Sequence, residues 1–196
     1  MAPSFCIDLS SGEQSLLLAI ARDSIHHALH EDGERALPGL TPALRTERAV
    51  FVTLTRRARL RGCIGTLEPG GPLARAVADS ACSAAFRDPR FPQLQAEELA
   101  ETAIEISVLT PMQPLAANSR EALLAQLRSG VDGVLLQEGR HRSTFLPKVW
   151  EQLPEPHLFM DQLLAKAGLP ASHWSASLRV HRYQTTTFDD SGARPA

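Results

Sequence analysis

Residues Leu60-Arg61-Gly62-Cys63-Ile64-Gly65 form a segment of strand character that holds two glycines. A glycine inside a strand gives up side-chain packing and backbone entropy. Two within four residues therefore imply a bulge, or a backbone that a ligand or a neighbouring helix approaches closely. The flanking residues fix the context. Ala49–Thr55 is a β-branched run of strand length, Arg56-Arg57-Ala58-Arg59 a polar connection, and Leu60–Leu67 a second strand, so an antiparallel hairpin is the economical reading. Glu68-Pro69-Gly70-Gly71-Pro72 is then a turn that places Pro72 at the first position of an Ala-rich helix running to about Phe86. Period-two alternation sends Leu60, Gly62 and Ile64 to one face of the strand and Arg61, Cys63 and Gly65 to the other.

The rest of the chain intersperses helical and extended patterns. Ser10 followed by Glu13 reads as a capping box, after which Leu17, Ala21, Ile25 and Ala28 share one face of a helix that Gly33 stops. Leu37–Pro42 is turn-rich, and Asp88-Pro89-Arg90-Phe91-Pro92 breaks the Ala-rich helix. Ile104, Ile106 and Val108 alternate as a half-buried strand, and Ser119 caps a helix through about Arg128. Val131–Gln137 and Arg140–Phe145 flank Glu138-Gly139 as a second hairpin. Pro147 opens a short helix through Leu153, a further helix runs from about His157 to Gly168, and Leu178–Phe188 is a closing strand. This order fits an α+β fold with a mixed, mainly antiparallel sheet and packed helices better than a doubly wound parallel sheet. Residues 1–188 read as one domain and 189–196 as a flexible tail.

A chain of 196 residues buries roughly 70% of its unfolded surface on folding, enough for one core without disulfides or metals. The formal net charge of -2 gives no global pull towards nucleic acid or an anionic membrane. The N-terminus lacks the basic and apolar regions of a signal peptide, and the run Leu16–Ala21 is too short to span a bilayer, so a cytoplasmic location is expected. Cys6, Cys63 and Cys82 show no Cys-x-x-Cys spacing and read as reduced thiols, with no disulfide framework or zinc knuckle.

Strand alternation makes Arg61 and Cys63 same-face neighbours, and a guanidinium beside a thiol favours the reactive thiolate. The competing reading makes Cys63 a small buried hydrophobe and Arg61 a structural ion-pair partner. A nucleophilic cysteine wants a base, and His141, His157, His173 and His181 are all distant in sequence. His26 and His30 stand i, i+4 on the first helix, but opposite its apolar stripe, where a solvated last turn explains them; no metal or other cofactor is expected. Arg56, Arg57, Arg59 and Arg61 can attract a phosphate locally, yet the interleaved aromatics of a nucleic-acid platform are absent. Asp88 can cap backbone amides in its Pro-fixed turn while Phe91 anchors the loop.

Leu60-Arg-Gly-Cys-Ile-Gly-Thr66, Ala84-Ala-Phe-Arg-Asp-Pro-Arg-Phe-Pro92, Ile104-Glu-Ile-Ser-Val-Leu109, Gly130-Val-Asp-Gly133, Phe145-Leu-Pro-Lys-Val149 and Lys166-Ala-Gly168 occur in an order that resembles the AMMECR domain family. Its bacterial members are called AmmeMemoRadiSam system protein A. The resemblance covers nearly the whole chain; Lys148 departs from it, standing where many relatives have glutamine. It implies an α+β fold of two unequal subdomains with a cleft, with Leu60–Gly65 as a functional site, and no established catalytic activity. It also implies a pathway shared with a Memo-like protein, similar to extradiol dioxygenases, and with a radical S-adenosylmethionine enzyme. Two functions compete on these residues. In an enzyme, Cys63 is the nucleophile or redox thiol and Arg61 its activator. In a binding subunit the same surface works without turnover, with Gly62, Gly65, Glu68, Asp88 and Arg90 as ligand contacts.

Overall fold

Ser10 and Glu13 open the first helix in the expected way. Ser10 N and Oγ donate to Glu13 Oε2 at 2.9 and 2.8 Å, and Glu13 N donates to Ser10 Oγ at 3.3 Å. The structure, a computed structural model, describes residues 8–30 and 40–190. The expected helix stop at Gly33, the thiol of Cys6 and the first half of the Leu37–Pro42 turn lie outside the described residues. In chain order the elements are α1 (Ser11–His30), α2 (Pro42–Arg45), β1 (Val50–Arg56), β2 (Arg59–Gly65), α3 (Leu73–Phe86), α4 (Ala96–Leu99), β3 (Thr102–Leu109), β4 (Gln113–Leu115), α5 (Arg120–Leu124), β5 (Gly133–Glu138), β6 (His141–Phe145), a 3-10 turn at Pro147–Glu151, α6 (Pro156–Lys166), β7 (Arg179–Tyr183) and β8 (Thr185–Asp189). This is an α+β chain, and its strands form two four-stranded sheets. The described residues fall into two compact units, 8–109 with 186–190, and 110–185.

In the first unit the strand order is β2-β1-β3-β8, with β1 antiparallel to both β2 and β3. Alternation along β1 and β3 puts Val50, Val52, Leu54, Ile104, Ile106 and Val108 on one face, each with no solvent exposure. They pack with Leu17 and Ile25 of α1 and with Val77, Ala81 and Ala84 of α3 in a single core. The small residues of α3 let that helix lie close to the sheet. Burial of these aliphatic side chains contributes about 1.5–3 kcal/mol apiece before conformational entropy is charged against it.

The first hairpin is tighter than its sequence suggested. Arg56 pairs with Arg59, so the loop is only Arg57-Ala58, and both residues sit in the left-handed region at φ 51° and 59°. That is the geometry of a type I′ turn, which sequence usually marks with Asn-Gly. The register also shifts between Leu54 and Thr55: Leu54 faces Gly62 and Thr55 faces Leu60, which leaves Arg61 as the extra residue of a β-bulge.

The second unit orders its strands β4-β7-β5-β6, all antiparallel. Val134, Leu136 and Val180 face a core built on Leu123, Trp150, Phe159 and Leu163, with the Trp150 and Phe159 rings stacked 3.8 Å apart. The β5–β6 hairpin forms as expected, with Gly139 at φ 55° in its turn. The helix after Ser119 is shorter than expected and ends at Leu124. The single closing strand is two strands in different sheets, β7 and β8, parted at Gln184, whose N donates to Thr110 Oγ1 at 2.9 Å and whose carbonyl accepts from Thr110 N at 2.9 Å. Of the expected tail, Asp189 ends β8 and Asp190 Oδ1 accepts from Ile104 N at 2.8 Å; residues 191–196 lie outside the described residues. No helix among the described residues is long and apolar enough to cross a membrane.

An Ala in the left-handed region costs about 1–2 kcal/mol, and a glycine there loses roughly half of that gain to the entropy of its unfolded state. Ala58→Gly should therefore raise the unfolding free energy by about 0.5–1 kcal/mol in urea titrations, whereas a lower value would show that Ala58 is not held at positive φ.

Candidate functional site

β2 is an edge strand, bonded on one side to β1. Gly62 is buried where α3 crosses it: a Cβ at that position would stand 2.1 Å from the Ala84 carbonyl oxygen. At Gly65 a Cβ would lie 2.2 Å from the Val50 carbonyl oxygen and 2.5 Å from Cα and Cγ of Phe51. The close approach that two strand glycines imply is thus made by the protein's own helix and neighbouring strand. Packing accounts for both glycines without a ligand.

The bulge changes what Arg61 does. Strict alternation would set it beside Cys63, but as the extra residue it turns to α4, where its Nη2 and Nε donate to Glu98 at 2.8 and 3.1 Å and its Nη1 to the Pro92 carbonyl at 2.9 Å. The side chain is only 11% exposed. This bidentate pair, followed by the Gln95 amide and Arg56, lowers the Glu98 carboxyl to about 2. Arg56 donates to Glu98 and Glu101 at 2.8 and 2.9 Å, and Arg57 to Glu101 at 3.3 Å. Three of the four arginines in the hairpin are therefore matched by carboxylates on or next to α4, which leaves the phosphate-attracting reading of that cluster little charge to use.

Cys63 is held by a different pair. Its side-chain neighbour across the ladder is Thr53, whose Oγ1 donates to Sγ at 3.3 Å. Its N–H and carbonyl point to the free edge of the sheet, where such groups need partners. Asp88 Oδ2 accepts from Cys63 N at 2.9 Å, and Arg90 Nη2 donates to Cys63 O at 3.2 Å. The two side chains are locked to each other, with Arg90 Nε and Nη2 donating to Asp88 Oδ1 and Oδ2 at 2.9 and 2.6 Å. Asp88 is buried, its side chain 2% exposed, and Arg90 is 54% exposed. Hydrogen bonding from Arg90 first, then from the Cys63 and Arg90 amides, holds the Asp88 carboxyl well below the usual carboxylate range. Asp88 in turn keeps Arg90 more firmly charged than usual, with a smaller contribution from Cys63. The guanidinium next to Cys63 is Arg90, not Arg61.

Register places Cys63, Thr53 and Glu105 in one row across β2, β1 and β3, on the face opposite the core. The row above holds Gly65, Phe51 and Ser107, with Ser107 Oγ and Thr187 Oγ1 3.0 Å apart, and the row below holds Leu60, Thr55 and Ala103. This half-buried face presents a thiol, hydroxyls and a carboxylate, with Ser107 buried. Glu68 is exposed in the bend that follows β2. Thr53, Glu98 and Glu105 were not singled out in the sequence. A capping box at Gln95 and Glu98 marks α4, but Gln is not a usual N-cap residue and the signal is weak.

The histidines weighed as bases, His141, His157, His173 and His181, all belong to the other unit. His141 Nδ1 bonds the Ala167 carbonyl at 2.8 Å, and His173 Nε2 joins Ser175 and Ser177 on the carboxylate of Glu138. On α1 the rings of His26 and His30 stack 4.4 Å apart, and His30 Nδ1 bonds the His26 carbonyl at 2.9 Å. Cys82 Sγ bonds the Ser24 carbonyl at 3.4 Å, and burial pushes its thiol pKa up.

Comparison with known proteins agrees with this fold and motif. The AMMECR1 family profile matches residues 18–188. A protein of Methanothermobacter thermautotrophicus is 39% identical over 94% of this chain and 97% of its own length. One from Thermofilum pendens is 38% identical over 92% of this chain and 91% of its own. The crystal structure of an uncharacterised protein of Pyrococcus horikoshii superposes with a TM-score of 0.83 at 32% identity, covering 89% of this chain and 90% of that one. The chain belongs to the AMMECR1 family.

Two outcomes follow from the site's geometry. Gly62→Ala should lower the unfolding free energy by about 3 kcal/mol, since its methyl meets helix backbone that cannot yield as a side chain would; a loss below about 1 kcal/mol would mean that α3 does not rest on Gly62. Glu98 has its folded pKa depressed from 4.5 to about 2, so its contribution is present above pH 4.5 and is lost as pH falls towards 2. Stability measured across that window should fall more steeply in the wild type than in Glu98→Gln, and parallel curves would contradict the Arg61–Glu98 pairing.

Proposed function

We propose that the face of the first sheet opposite its core is the working surface of this protein, and that it binds a ligand or partner through the half-buried Cys63, Thr53 and Glu105 without turning over a substrate by itself. The observation that carries this reading is the clamp on the Cys63 peptide. Asp88 and Arg90 bond its N–H and carbonyl at 2.9 and 3.2 Å, which holds the thiol at a set place on a rigid sheet, and preorganisation of that kind lowers the entropy cost of binding. The bond at Sγ comes from a threonine hydroxyl, and a threonine is not a general base. That favours the binding reading over a self-sufficient thiol enzyme. The family resemblance suggests what is bound: a Memo-like protein or a radical S-adenosylmethionine enzyme, for which this chain would serve as a presenting or regulatory subunit.

The catalytic reading keeps one observation in its favour. Arg90, charged and half exposed, donates to the Cys63 carbonyl at 3.2 Å, and a cation near a cysteine is one ingredient of thiol catalysis. Iodoacetamide labelling followed by mass spectrometry tests the shared premise. Cys63 should label at least tenfold faster than Cys82, and Arg90→Gln should slow it several-fold at neutral pH while Arg61→Gln leaves it little changed. Calorimetric titration with the Memo-like and radical-enzyme proteins of the same source then separates the two readings. Loss of binding on alkylation of Cys63 supports the binding subunit. Binding that survives alkylation, or a Cys63 that stays unlabelled in the folded protein, sinks it.

A further inference from the structure

The sheet of the second unit has a face that the site above does not use. Gln137 on β5 pairs with Arg179 on β7 and with Arg142 on β6, so Arg179, Gln137 and Arg142 form one row across three strands. Directly paired residues share a face, and this row lies opposite Val134, Leu136 and Val180, which enter the core. His181, two residues along β7 from Arg179, shares the face and pairs with Leu135, which pairs in turn with Thr144. The third row on this face is Tyr183 with Gly133. None of these positions carries a carboxylate. Glu138, which ends β5, pairs with His141 on the opposite face, where His173, Ser175 and Ser177 engage it.

Two independent features of this face point to an anion. Arg179 and Arg142 are both exposed, and the Arg179 guanidinium makes no hydrogen bond or ion pair among the described residues. Their backbones stand about 10 Å apart, twice the strand spacing, so the two long side chains can reach one tetrahedral anion with the Gln137 amide between them, Arg142 from a contact that it already has. Separately, His181 Nδ1 is buried without a hydrogen-bond partner. A buried unpaired nitrogen is a standing cost to the fold, and turning the ring towards an anion in the next row would remove it. An oxyanion with three or four acceptor oxygens satisfies two arginines, an amide and an imidazole together, which a carboxylate with two oxygens does less well.

We propose that this face binds a phosphate-bearing small molecule, its phosphate held by Arg179 and Arg142 across Gln137, with the His181 imidazole as a further donor. The site lies on the other sheet, and it does not depend on the function assigned to the Cys63 face. Exposed guanidinium groups without an exposed aromatic, Tyr183 of this face being buried, favour a small ligand over single-stranded nucleic acid, whose bases need stacking platforms.

Calorimetric titration of the full chain with inorganic pyrophosphate, at constant ionic strength, tests this. One saturable site is expected, weakened at least tenfold by Arg179→Gln with Arg142→Gln and unchanged by Arg140→Gln, an exposed arginine in the neighbouring turn. Both substituted arginines of the row are exposed, so thermal melts of the variants should match the wild type. In the wild type, pyrophosphate should also move the His181 imidazole nitrogen resonances, and His181→Asn should weaken binding about threefold. Absence of saturable binding, equal weakening by Arg140→Gln, an unaffected double variant, still His181 resonances, or binding of an oligonucleotide but not of pyrophosphate would each overturn the proposal.

Discussion

The geometry of the signature strand depends on one contact, that of the Gly62 backbone with the Ala84 carbonyl of α3. A helix can lie that close to a strand only where no side chain intervenes, and the Ala-rich face of α3 meets the same requirement from its own side. Because α3 ends at Phe86, a helix pressed onto β2 delivers the loop that follows it to the strand's open edge. Asp88 and Arg90 then reach the Cys63 peptide, and the carbonyl of Pro92 reaches Arg61. The clamp is a consequence of helix packing, not a separate device. It also answers the difficulty of an edge strand, whose outward N–H and carbonyl invite pairing with another chain.

The same packing distributes charge. The guanidinium groups that the structure pairs around β2 meet carboxylates: Arg61, Arg56 and Arg57 share Glu98 and Glu101, and Arg90 has Asp88. The exposed members contribute little to stability, but the buried carboxylate of Asp88 would be costly without Arg90. The face around Cys63 is therefore not a basic patch. It is hydroxyl-rich, with a thiol and the Glu105 carboxylate in one row, which suits selective contact with a partner better than electrostatic capture of a polyanion.

How much of this was legible in the sequence follows from how local each signal is. The Ser10–Glu13 capping box, the β3 alternation and the Gly139 turn are decided by residues a few positions apart, and all three are found as read. The need for close backbone approach at Gly62 and Gly65 was legible too, but not what approaches, because Ala84 and Phe51 are brought there by tertiary packing. Of the two readings of Arg61, the structural ion pair is found and the place beside Cys63 is not, for one reason. A bulge shifts the period-two pattern, and the Arg57-Ala58 turn carries no Asn or Gly to announce a two-residue loop and hence the register. Arg90 stands 27 residues from Cys63, and Leu178–Phe188 reads as one strand because only Gln184, paired with Thr110, marks its passage between sheets. Long-range partners of this kind leave no periodicity to read.

The claim that the Asp88–Arg90 pair pins the Cys63 peptide is open to direct measurement by amide hydrogen exchange. If Asp88 holds the outward N–H of an edge strand, the Cys63 amide exchanges slowly in the wild type, on a par with Gly62 and Ile64 inside the ladder. In Asp88→Ala it should exchange at least tenfold faster while Gly62 and Ile64 keep their protection. A Cys63 amide that exchanges in the wild type as fast as an unprotected one, or whose protection survives Asp88→Ala unchanged, would contradict the account.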